Sequence, residues 1–490
     1  MTNLHPNIFF VLDDREIVGG DVRSIVGVRR YGDITIRRCS IAEHFRQALP
    51  DWARNQLTHL KRNDDLADLR DRIQGSPVNS SILIVAGRAG FSDAQRLTAV
   101  IERLPFAQEA FTDRLYKPLV AFLPNAHDLL RKWTDVEAAP LHLWEKAWQS
   151  SQRLSSIEPL DLAQISNFLF FSSGSTATRH FNEVEIDTYY FTKWSIDKRK
   201  MLAEYSFYEL APESMRPWLL QPFDYREEGQ RASYKMLRYY LADAALQWVH
   251  GAFDSDSFLP FVDRLLFFIG QRSHRTCARE EVLSVARDLF VAKVEARMEQ
   301  FLGSKEGQRI NALAVAATPE LDLREQVSRY LKLYDLHERG FAYDHLVVGH
   351  GDPCFSNVLY DAQHFLMKFI DPKGAITEND LWTHPLYDLC KISHSALGDY
   401  DFINNGLYGI SFNDCNALLL NISQPHHASL KQLFVQRVVA AGHDPLLMRL
   451  GEASLFLSML PLHIDYPNKV LAFLIKAKQI LDEVESERIY

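Results

Sequence analysis

Hydrophobic and polar positions change their period several times along the chain. "NIFFVL" (7–12) and "SILIVAG" (81–87) are short, unbroken apolar runs flanked by polar residues, the pattern of buried strands. "IAEHFRQAL" and "RLTAVIERL" repeat apolar residues at helical spacing, and Ser92 or Asp93 is placed to cap the second. "LVAFL" (119–123) is a third strand, with a helix near 127–134. Residues 1–150 therefore read as a small α/β domain, and the polar, Ser-rich "SSQRLSSIEPLD" at 150–161 reads as its boundary. Beyond it the order is strand ("NFLFF"), small-residue turn ("SSGSTAT"), two strands ending in "YYFTKWS", and a helix ("KRKMLAEYSFYEL"). "ASYKMLRYYLADAAL" reads as a strand running into a helix capped by Asp243. From 245 to 345 the spacing is mainly helical, and the last helix is "NKVLAFLIKAKQILDEVES".

Composition narrows the classes. At 490 residues the chain is expected to hold two or three domains, and 47% hydrophobic with 24% charged residues suits a globular protein with sizeable cores. A net charge of −9 argues against a nucleic-acid partner. The five cysteines are widely spaced, with no CxxC pair, so neither a disulfide framework nor a zinc site is expected. The first residues lack a basic n-region, and the longest apolar runs, such as "RLLFFIG", are too short to cross a bilayer. A cytoplasmic enzyme without a membrane span is the expectation. In the first domain "GRAGF" (87–91) reads as an ordinary strand-to-helix turn or a phosphate loop, and Asp13 and Asp14 as a solvated turn or metal ligands.

The chemistry gathers in "VVGHGDPCFSNVLYD" (347–361). "HLVVGH" is a strand, and "NVLYD" and "FLMKFID" flank a short turn as a β-hairpin. Asn357 opens the first hairpin strand and Asp371 closes the second, so both stand at the hairpin's open end. An amide oxygen and a carboxylate are hard donors suited to Mg²⁺, which draws its other oxygens from phosphates and water. Asp352, on the entering loop, is placed to accept a hydrogen bond from a substrate hydroxyl. Upstream, Lys193 lies on a strand and Glu204 on the next helix, the pairing by which kinases hold α- and β-phosphates. Together these parts point to metal-assisted phosphoryl transfer.

Residues 160–490 resemble the superfamily of aminoglycoside phosphotransferases and choline kinases, and within it the bacterial members associated with capsule and surface-polysaccharide synthesis. "HGDPCFSN", "IDPKGA" and "HPLYDLCKISHS" carry the resemblance. It implies an α+β, bilobal, protein-kinase-like fold: an N-lobe over 160–242 and a mainly helical C-lobe over 243–490, preceded by the α/β domain. It also implies ATP and Mg²⁺ as cofactors, Asp352 as catalytic base, His350 as a brace for the loop with help from Asp388, and Asn357 and Asp371 as metal ligands. Lys193 and Glu204 would position the ATP phosphates. The turn with Gly174, Ser175 and Thr176 would cover them, and the backbone at 238–242, including Tyr240 and Ala242, would meet adenine. That turn has one glycine where protein kinases have three, which implies a weaker or altered grip on the nucleotide, and "DPK" stands where they have "DFG", which favours a small-molecule kinase. The acceptor is expected to be a sugar or a similar small hydroxyl compound. Two other readings stay open: a bifunctional enzyme whose first domain is a degenerate nucleotidyltransferase, and a nucleotide-binding pseudokinase scaffold. Trp382, Tyr387 and Tyr400 read as core aromatics or a quaternary-amine cage, Cys354 and His384 and His394 as packing residues, and Lys373 as an exposed lysine.

Overall fold

A computed structural model describes residues 7–36, 38–114, 117–132, 152–153, 157–172, 182–414, 416–422 and 427–489. The chain forms two compact units, residues 1–175 and 176–490.

The first unit is built on a six-stranded sheet. Its parallel centre sets β1 (Ile8–Asp13) between β2 (Leu57–Leu60) and β3 (Ser81–Ala86). The remaining strands are β4 (Phe111–Thr112), β5 (Val120–Leu123) and β6 (Gln152–Arg153); β5 joins antiparallel to β3. The apolar runs that predicted β1 and β3 fill this unit's core, with helices α1 (Ile41–Ala48) and α2 (Ala94–Ile101) alongside. Asp93 caps α2 by accepting from Arg96 N. Asp14 is neither a solvated turn residue nor placed as a metal ligand. It is fully buried, accepting from Gly32 N at 2.7 Å and paired with His59 at 3.0 Å, and a Cβ at Gly32 or Gly87 would collide with its carboxylate. Asp13 is held by Arg15. In "GRAGF", Ala89–Gly90 pairs with Leu160–Asp161 as a two-stranded ribbon, so the stretch is more than a plain strand-to-helix turn.

Two expectations are corrected here. The stretch 150–161 is not the boundary. Leu160 and Asp161 are tied into the first unit by that ribbon, and the Asp161 carboxylate faces Arg88 and Arg114, so the division falls after Ser175. "NFLFF" is not a strand. It lies in helix α3 (Ile165–Ser172), which buries Phe168, Leu169 and Ser172 on one face. Five consecutive apolar residues satisfy either period, and packing decides.

The second unit opens with a four-stranded antiparallel sheet of order β7-β8-β10-β9, where β7 is Asn182–Ile186, β8 Tyr190–Ser195, β9 Pro222–Glu228 and β10 Arg231–Leu237. Helix α4 (Lys198–Leu210), capped by Asp197, packs on it. Asp243 caps α5 (Ala244–Val249) as the spacing predicted. A large helical body follows. Within it β11 (His345–Val348) leads to the hairpin of β12 (Val358–Asp361) and β13 (Leu366–Phe369), with Val358 opposite Phe369. Helix α6 (Tyr387–Ala396) and the last helix, α7 (Pro467–Glu485), pack in the same core. Among the described residues one segment, 445–463, is long and apolar enough to cross a bilayer, and most of it is buried inside the structure.

Candidate active site

Alternation along β8 turns Lys193 to the face covered by α4, where Glu204 projects from the second turn. The Lys193 ammonium donates to Glu204 Oε2 at 2.7 Å and to Asp371 Oδ1 at 3.0 Å. Opposite Lys193 in the sheet register, Tyr234 donates its hydroxyl to the same Glu204 oxygen at 2.9 Å. The lysine and glutamate side chains are 4% and 2% exposed, whereas Asp371 is 40% exposed. Burial works to lower the Lys193 pKa, but Asp371 and Glu204 outweigh it and raise it, so the ammonium stays charged. A cavity of about 20 Å³, walled by Phe207, Leu219, Met236 and Phe369, lies against Glu204 and Asp371 and keeps that side apolar.

The loop between β11 and β12 is held from several sides. Buried Asp388 accepts from His350 N (3.0 Å) and Gly351 N (2.8 Å), and Arg272 donates to it at 3.0 Å. Gly351 sits at φ +85°, and a Cβ there would strike Lys373. His350 is fully buried. Burial lowers its pKa against the pull of Asp388, Asp352 and Asp371, so the ring is neutral. Its Nδ1 accepts from Asp352 N at 3.3 Å, which puts the proton on Nε2. Asp352 presents a half-exposed carboxylate whose Oδ1 meets Lys391 Nζ at 3.0 Å. Asn357 donates Nδ2 to the Asp352 carbonyl at 2.9 Å, and its own carbonyl accepts from Ile370 N at 3.0 Å.

At the open end of the hairpin the Asn357 carbonyl is paired with Ile370 N, the residue before Asp371. The donor set fits Mg²⁺. The Asn357 amide nitrogen is committed to protein, which leaves Oδ1 as its remaining donor atom for a cation, and Asp371 is a partly exposed carboxylate at φ +55°. Among the described residues no cluster of three or more His, Cys, Asp or Glu could hold a metal by itself, so a cation here would complete its shell from phosphates and water.

Solved structures that this chain resembles include aminoglycoside phosphotransferases. A thermostable mutant of APH(4)-Ia, in ternary complex with AMP-PNP and hygromycin B, is 11% identical over 65% of this chain and 97% of its own, with a TM-score of 0.39. The GDP complex of wild-type aminoglycoside 2′-phosphotransferase-IIIa is 12% identical over 64% of this chain and 91% of its own, with a TM-score of 0.35. Scores and identities this low assign no activity. No protein-family model matches the chain, and no curated protein matches it.

The other sequence-predicted positions divide. Gly174, Ser175 and Thr176 lie outside the described residues. At 238–242 the Tyr240 hydroxyl donates back to Thr188 O at 2.9 Å under the Arg238 guanidinium, and the Ala242 carbonyl accepts from Tyr360 N, so the segment is tied to both the sheet and the hairpin. Cys354 is buried, and burial pushes its thiol well above the usual range, which makes it inert packing. Trp382, Tyr387 and Tyr400 form no cage: Arg275 covers Trp382, Tyr387 binds Lys293, and Tyr400 stacks on His394. His384 is buried on the Phe341 carbonyl, and desolvation takes it down to about 4. Sequence reasoning missed Lys391, Arg272 and Ser395, whose hydroxyl accepts from Phe355 N at 2.9 Å. Their partners lie 39 to 116 residues away along the chain, and nothing in local spacing marks them.

Proposed function

We propose that the second unit is an ATP- and Mg²⁺-dependent small-molecule kinase of kinase-like, bilobal fold that phosphorylates a hydroxyl of a sugar or polysaccharide precursor in the cytoplasm. The observation that carries the reading is the bridge of Lys193 between Glu204 and Asp371, with Asp352 and Asn357 on the adjoining loop. Lys193 would bind the α- and β-phosphates, and Glu204 and Tyr234 fix its place. Asn357 and Asp371 would hold Mg²⁺, which neutralises phosphate charge when bound. The acceptor oxygen attacks the γ-phosphorus, the bond from that phosphorus to the β,γ-bridging oxygen breaks, and ADP leaves with the electron pair. The hydroxyl proton passes to Asp352 and from there to water. The anionic acceptor side of Asp352 and the buried cation at Lys193 set the two ends of that transfer.

The test separates binding from chemistry. ATP should bind much more tightly with Mg²⁺ than with EDTA, and Asp371→Ala should abolish the difference. Equal affinities in the wild type would overturn the metal assignment. Once an acceptor is found by screening sugars, amines and nucleosides with labelled ATP, Asp352→Asn should lower kcat by roughly 10²–10⁴. Its ATP affinity should change by less than about tenfold. A folded Asp352→Asn enzyme turning over at the wild-type rate would refute the role given to Asp352.

A further inference from the structure

We propose that Lys391 is a positioning residue for phosphoryl transfer, holding the Asp352 carboxylate in the orientation that meets the acceptor hydroxyl. The inference rests on the kinase reading and adds a residue that reading does not use. Asp388, Lys391 and Ser395 are spaced by three and four residues on α6, so they share one helical face. That face grips the loop at successive points: Asp388 takes His350 N and Gly351 N, Lys391 takes Asp352 Oδ1, and Ser395 takes Phe355 N. Three of these contacts go to backbone and would suffice to shape the loop. The fourth goes to the side chain assigned as base.

Lys391 is itself immobilised. Its side chain is 13% exposed against 40% for Asp352, so the ammonium approaches the carboxylate from the protein side and leaves the solvent side open to an acceptor. One turn earlier on α6, buried Tyr387 accepts from Lys293 Nζ at 3.0 Å, and Lys391 and Lys293 both bear on its hydroxyl. The groups facing the pair are Tyr387, Cys354 and His394 around Lys391, and His350 and Asp401 near Asp352. A half-exposed ion pair returns little stability, while desolvating a lysine is costly. Stability therefore does not account for an ammonium buried in this place, whereas fixing a carboxylate that otherwise rotates does.

The experiment uses the full chain with Mg-ATP and an acceptor from the screen, or water as acceptor through ATP hydrolysis. Lys391→Met should lower kcat on the order of a hundredfold. KM for ATP should stay within about threefold, because among the described residues the Lys391 ammonium pairs with Asp352 and not with Lys193, Glu204 or Asp371. Lys391→Arg should restore most of kcat, since its guanidinium can reach the same oxygen. In the Asp352→Asn background, Lys391→Met should cost little more. Wild-type kcat in folded Lys391→Met, equal losses in both backgrounds, or a rise in KM matching the fall in kcat would overturn the proposal. Should Lys391→Met fail to fold, Lys391→Gln carries the same comparison. A wild type that turns over no acceptor, water included, would sink the kinase reading and this inference with it; turnover by the wild type with an unaffected lysine variant would sink this inference alone.

Discussion

A lysine bonded to two carboxylates and a glutamate bonded to a lysine and a phenol are stable only as a set. Removing one partner leaves a buried charge or hydroxyl without its complement, which typically costs about 3–5 kcal/mol. Glu204→Ala is expected to destabilise the second unit by about 3 kcal/mol, because Lys193 keeps only Asp371 and the Tyr234 hydroxyl loses its acceptor. Lys193→Met combined with Glu204→Leu and Tyr234→Phe should recover much of that stability without recovering ATP binding. Chemical denaturation and calorimetry on the two variants check both halves, and equal stability of Glu204→Ala and wild type would contradict the set. Lys193 and Glu204 were legible in the sequence because a strand lysine and a helix glutamate lie within one β-α step. Lys391 was not, since a lysine on a helix is ordinarily a surface residue and only the tertiary fold brings it to Asp352.

Elements are joined at two places where a single change should be felt. The segment after β13 docks on α4: Ala375 N donates to Ala203 O, and Gly374, at φ +90°, would place a Cβ 2.7 Å from the Ala203 carbonyl carbon and 2.8 Å from Glu204 N. Gly374→Ala should therefore cost about 1–3 kcal/mol in backbone strain alone. It should also weaken ATP binding by displacing Glu204; an unchanged melting temperature and affinity would argue against this coupling. The second place is Asp401, on the short helix Tyr400–Asn404. Burial, opposed by the Ser395 hydroxyl and reinforced by Asp243, Asp352 and Asp399, pushes its carboxyl up to about 7. A carboxyl raised in the folded state binds its proton more tightly there than when unfolded. It thus contributes stability that is full below about pH 4 and is lost as pH rises through 7. Wild type should lose up to about 4 kcal/mol from this group between pH 4 and 8, and Asp401→Asn should flatten that part of the profile in denaturation at several pH values. The elements themselves were largely readable where their period was clear, as in β8, α4 and the β12–β13 hairpin. The "NFLFF" run was not, because an all-apolar stretch has no polar phase to choose between helix and strand.

At the scale of the whole molecule, each unit has its own hydrophobic core, one around β1, β3 and β5 and one running through the helical body. A chain beginning at Ser173, which keeps the turn expected to cover the phosphates, is expected to fold and to bind Mg-ATP with an affinity within about threefold of the full chain, since the described candidate-site residues lie in the second unit. Isothermal titration of the two proteins checks this; a folded fragment that fails to bind would show that the site needs the first unit. Composition could announce more than one domain but not this division, because the polar stretch at 150–161 looks like a linker in sequence and is tied to Arg88 and Arg114 in space.

The anchoring of the loop at His350 and Gly351 on Asp388, itself paired with Arg272, also bears on how the protein is made. Synthesis delivers Arg272 first, the loop next and Asp388 and Ser395 last. Until α6 leaves the ribosome, the amides of His350, Gly351 and Phe355 have no acceptor and the arginine no carboxylate, so the loop lacks three of its anchors. The nascent chain therefore carries Lys193, Glu204, Asp352, Asn357 and Asp371 before α6 can anchor the loop, and a product truncated ahead of residue 387 would possess the whole "HGDPCFSN" motif without the helix that grips it.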